Sequence, residues 1–139
     1  MLHWYIFDEQ SGAFAQAAQD CSDESGGRYT IKLSALPTDA DQQREQLVRR
    51  LAAGDKDIDI IGMDVIWTAE LAAAGWILPW EGEAARQAGV GRLASSVHSA
   101  SYDGRLWGVP FTTNTQLLGH VDHLIPGRGR LVHAIAAVP

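Results

Sequence analysis

Ile58-Asp59-Ile60-Ile61-Gly62-Met63-Asp64-Val65-Ile66-Trp67-Thr68-Ala69-Glu70-Leu71-Ala72-Ala73-Ala74-Gly75 reads as a strand, a loop and a helix in succession. Ile58 to Gly62 is a short apolar run after Asp55-Lys56-Asp57, which suits a buried parallel strand. Trp67 to Ala74 follows as a helix, with Gly75 as its stop. Upstream, the same alternation repeats. A helix opens near Thr38 or Asp39, both good N-cap residues, and carries Leu47, Val48, Leu51 and Ala52 as its apolar stripe. Gly54 ends it. Before it, Tyr29 to Leu33 reads as a strand, and Leu36-Pro37 as loop. Phe14, Ala17, Ala18 and Cys21 recur at helical spacing and stop at Gly26-Gly27. Leu2 to Phe7 is a compact apolar and aromatic run, hence a first buried strand.

Downstream, Trp76 to Trp80 is an extended apolar exit, and Glu83 to His98 is weakly helical, interrupted by Gly89 and Gly91. Asp103-Gly104 is a strong turn signal between Tyr102 and Leu106-Trp107. Val109 to Leu118 reads as extended. Strands alternating with helices predict an α/β sandwich with a mostly parallel sheet. The composition shifts after Leu118. Residues 119–139 hold three of the five histidines and two arginines but no lysine or glutamate, and fit neither a clean helix nor a clean strand.

The 139 residues suit one domain, and 46% hydrophobic with 20% charged residues is a globular composition. A formal charge of -6 argues against nucleic acid, whose phosphates need a basic face. The single cysteine, Cys21, excludes an internal disulfide and a cysteine-built zinc site. No apolar run approaches the ~18–20 residues of a membrane span. The opening Met1 to Phe7 is too short, and too poor in basic residues, to be a signal peptide.

Ligands of open α/β sheets sit outside the carboxyl ends of the parallel strands. Asp8 and Glu9 follow the first strand and Asp64 follows the third, so strands running the same way would bring these carboxylates to one crevice. A carboxylate accepts hydrogen bonds from neighbouring sugar hydroxyls. The competing reading is that Asp8 and Asp64 only cap the helices that follow them. Five tryptophans could stack on sugar rings or simply pack the core. Thr112 to Gln116 is a polar cluster suited to uncharged hydroxyl ligands, or a solvated edge strand. Gly89-Val90-Gly91-Arg92-Leu93-Ala94 matches a loose dinucleotide pattern but follows no strand, so that reading fails. His120, His123 and His133 have no recognised metal spacing, and no nucleophile–base–orienter set is present.

Gly62 to Trp76 resembles the signature of family 1 extracellular solute-binding proteins, closest to the trehalose/maltose-type branch. Gly26 to Ile31, Asp41 to Gly54 and Leu106 to Leu118 agree in order, so the likeness covers residues 2–118. The resemblance implies the α/β N-terminal lobe, here partial, of a two-lobe periplasmic-binding-protein-like fold, with sugar held between the lobes. It implies ligand contacts at Asp8, Glu9, Gln43, Asp64 and Asn114, with Trp67 adjacent to the site. It also implies an oligosaccharide such as trehalose or maltose as ligand, an ABC importer's membrane subunits as partner, and no cofactor, metal or catalytic residue. An extracellular or periplasmic location follows, with the membrane reached through a lipid anchor.

This sequence departs from the family pattern in three ways. The export signal and lipid-attachment cysteine are missing, residues 119–139 do not resemble the family's continuation, and the second lobe does not follow. We read 1–118 as a partial lobe and 119–139 as an atypical tail, either translated out of frame or genuinely divergent. A lobe cut short in this way should expose apolar faces and self-associate. The alternatives are an α/β glycoside-acting enzyme using Asp8 and Asp64, and a non-functional gene remnant.

Overall fold

A computed structural model of the chain describes residues 1–112, 116–119 and 134–137. Strand β1 is Leu2–Phe7, the run expected from its aromatic and branched residues. It lies at the centre of a three-stranded parallel sheet, between β2 (Ile31–Leu36) and β3 (Ile60–Ile61). The β1–β2 register runs from Leu2 opposite Ile31 to Phe7 opposite Leu36, and Trp4 and Tyr5 of β1 face Ile60 and Ile61. The Gly62 N–H donates to the Tyr5 carbonyl at 2.7 Å, so the pairing outlasts the short β3.

Strand β2 begins and ends later than the expected Tyr29 to Leu33. The buried Ser25 hydroxyl donates to the Tyr29 carbonyl at 3.0 Å and accepts from its N–H at 3.3 Å, which occupies both backbone groups of Tyr29. At the other end Leu36, expected in a loop, completes the strand and is 2% exposed. Pro37, with no N–H, cannot extend the ladder.

Helix α1 (Ala13–Glu24) covers one face of the sheet. Its Phe14 ring meets Trp4 at 5.6 Å and Phe7 at 5.3 Å, and its Ala18 is buried. Helix α2 (Ala40–Ala52) starts at the expected cap, where the Asp39 carboxylate accepts from the Gln42 N–H at 2.9 Å. A 3-10 turn (Val65–Trp67) leads into α3 (Thr68–Ala73). These elements cover the other face, where Tyr5, Leu36, Leu47, Trp67 and Leu71 form the main core. Side chains alternate across a strand, so Trp4 and Tyr5 commit β1 to helices on both sides.

The weakly helical stretch resolves into α4 (Gly82–Gly89) and α5 (Ala94–Ser99). Strands β4 (Ser101–Tyr102) and β5 (Arg105–Leu106) then form a hairpin. Its turn residues Asp103 and Gly104 both have positive φ, 49° and 71°, as a type I′ turn requires. Leu106 bridges back to Trp80. Strand β6 (Gln116–Gly119) pairs antiparallel with β7 (Ala134–Ala137), so part of the region expected to lack regular structure is a strand.

Candidate functional site

Because β1, β2 and β3 run parallel, all three strand-to-helix connections leave the same edge of the sheet. The order β2-β1-β3 makes the boundary between β1 and β3 the point where the winding reverses. At such a point the loops turn to opposite faces and leave a crevice between them. Here residues 8–12 turn towards α1, and residues 62–67 turn towards α3. The structure brings Asp8, Glu9 and Asp64 to this one edge.

Asp8 is exposed, and its N–H donates to the Leu36 carbonyl at 3.2 Å. Its carboxylate has no partner among the described residues. It does not cap α1: Gly12 (φ 78°) holds the cap position, and the Ser11 hydroxyl, not Asp8, accepts from the Ala13 N–H at 3.2 Å. Glu9 is half-buried and accepts from the Ser11 N–H. The Ser11 hydroxyl contributes most to holding the carboxyl below the usual range; burial opposes it, and the backbone N–H groups of Ser11, Ala13 and Phe14 add to the lowering. Glu9 is therefore ionised at neutral pH.

Asp64 is exposed, and its Oδ1 accepts from the Ile66 N–H at 3.2 Å, which caps the 3-10 turn. The capping reading thus holds for Asp64 and fails for Asp8. The cap engages one Asp64 oxygen; the other has no partner among the described residues. The main chain reaches this position through Gly62. A Cβ there would lie 2.5 Å from Ile6 Cγ1, so only glycine lets the loop cross β1 without displacing a buried side chain.

Gln43 stands near the start of α2, at the same edge, but is 7% exposed. Its Nε2 donates to the Thr38 carbonyl at 3.3 Å and ties down the β2–α2 loop. Trp67 is 3% exposed and belongs to the core. Of the two readings open to the tryptophans, stacking or core packing, the burial of Trp67 fits packing, because a ring enclosed by its own core presents no face to a ligand. Asn114 lies outside the described residues. The apolar surface beside Asp64 comes instead from Val65 (52% exposed) and Ile66 (76% exposed). Their sequence gave no sign of this, since aliphatic residues before a helix are ordinarily core.

Among the described residues, no group of three His, Cys, Asp or Glu side chains is placed to hold a metal ion. None of their helices is long and apolar enough to cross a membrane. No protein-family model matches the chain.

Proposed function

We propose that this chain is the first part of a carbohydrate-binding lobe from a two-lobe solute-binding protein of an ABC importer. One observation carries the reading: ionisable groups after β1 and β3 share the edge where the sheet's winding reverses. The carboxylate of Asp8 and the second oxygen of Asp64, both without a partner among the described residues, are acceptors suited to sugar hydroxyls. Val65 and Ile66 add apolar surface against which the C–H face of a sugar ring can pack. Gln43 supports the edge from beneath rather than from within the crevice. On this reading the ligand is an oligosaccharide of the trehalose or maltose kind, and most of its burial comes from a second lobe closing over this wall.

Titration of the chain with trehalose and maltose, followed by amide chemical shifts, tests the proposal. Weak saturable shifts at Asp8, Glu9 and Asp64, without release of glucose, are expected. Glucose release would move the assignment to a glycoside-acting enzyme using Asp8 and Asp64. Absence of any saturable shift at this edge would remove the sugar-binding reading.

A further inference from the structure

Arg92 lies in the short link between α4 and α5, inside the glycine-containing stretch that the dinucleotide reading failed to explain. Gly91, at φ 71°, turns the chain there, and the Arg92 N–H returns to the Gly89 carbonyl at 3.3 Å. The other arginines of the described residues have partners. Arg44, Arg49, Arg50, Arg86 and Arg105 each pair with a carboxylate, and Arg28 donates to the Ser25 carbonyl at 2.8 Å. The Arg92 guanidinium has no partner among the described residues.

This unpaired cation borders a depression of about 160 Å³, together with Leu93, Phe111 and Thr112. Leu93 (63% exposed) and Phe111 (47% exposed) give it apolar walls, and Thr112 brings a hydroxyl. Phe111 packs edge-on against Phe14 at 5.9 Å, and Phe14 in turn meets Phe7, the last residue of β1. The depression is thereby anchored to the strand that Asp8 follows.

Its size decides what it can take. Small-molecule pockets run to roughly 300–1,000 Å³, and one water occupies about 30 Å³. The space suits one polar group and a few waters, not a whole oligosaccharide. A guanidinium offers a planar fork of donors that matches a carboxylate or phosphate in bidentate fashion. We propose that this depression is a subsite for the anionic oxygen group of a small acid ligand, held by Arg92 with the Thr112 hydroxyl as a second donor. The inference is independent of the sugar-binding reading, because it uses none of Asp8, Glu9 and Asp64.

The test is a ¹H–¹⁵N titration of the full chain with glucuronate, glucose 6-phosphate and glucose. Saturable shifts at the Arg92 side-chain Nε–H and the Leu93 and Thr112 amides are expected with at least one anion, and not with glucose. The anion that binds more tightly identifies carboxylate or phosphate as the group. R92Q should lower the affinity at least tenfold, whereas R86Q, which removes an exposed arginine paired with Glu83, should leave it unchanged. Arg92 is exposed, so R92Q should keep the parent spectrum elsewhere. Saturation by neither anion, equal response to glucose, or full affinity in R92Q would each overturn the proposal.

Discussion

Gly62 passes so close to Ile6 that a Cβ on it would lie 2.5 Å from Ile6 Cγ1 and 2.7 Å from Cδ1. Ile6 is 2% exposed and cannot swing into solvent. Overpacking of this kind costs about 1–3 kcal/mol. G62A should therefore lower stability by that amount in urea unfolding. Combining it with I6A, which removes both clashing atoms, should cost less than the sum of the two single changes. Strict additivity would show that the close approach is not what demands glycine.

At Asp64 two substitutions separate structure from binding. Asparagine caps as well as aspartate, whereas loss of a cap to alanine costs about 0.5–2 kcal/mol. D64A should lose stability, and D64N should keep it. If the carboxylate also receives a sugar hydroxyl, D64N should weaken trehalose or maltose shifts at this edge with the fold intact. Unchanged titration in D64N would confine Asp64 to capping.

Trp67 should behave as a core residue. W67A is expected to cost about 3–5 kcal/mol, as large-to-small aromatic changes in cores do. W67F should lose less and leave sugar shifts unaltered. A W67F chain that keeps its unfolding midpoint but loses its response to sugar would return Trp67 to the ligand.

The pH dependence follows from Glu9 and Asp55. Hydrogen bonds from Ser11 lower the Glu9 carboxyl. For Asp55 the Asp57 N–H contributes most, followed by Arg50. A carboxyl depressed in the folded state stabilises the fold above its unfolded value, about 4.3 for Glu and 3.9 for Asp. That contribution is lost as pH falls through the folded value. Stability should thus be flat above about pH 5 and decline below about pH 4 for these groups. Thermal unfolding of D55N across this range should show a shallower acid decline than the parent chain, and an identical slope would exclude Asp55 from the linkage.

Much of the frame was legible because its signals are local. Leu2–Phe7 declares a strand by residue type alone, Asp39 declares a cap by its side-chain oxygen, and Asp103-Gly104 declares a turn by its tolerance of positive φ. The placement of Asp8, Glu9 and Asp64 at strand ends was equally readable. What they face was not, because it depends on strand order.

The sequence by itself determined the alternation of strands and helices, the residues that end most helices, and the acidic groups after β1 and β3. Tertiary structure alone decided the register that carries β2 to Leu36, where pairing with Phe7 and capture of Tyr29 by Ser25 outweighed local pattern. It also buried Trp67 and Gln43, left Val65 and Ile66 outside, and left Arg92 without a partner among the described residues. Local signals depend on a residue and its few neighbours along the chain. Burial and pairing depend on residues tens of positions away, so they exist only once the sheet has closed its order around β1.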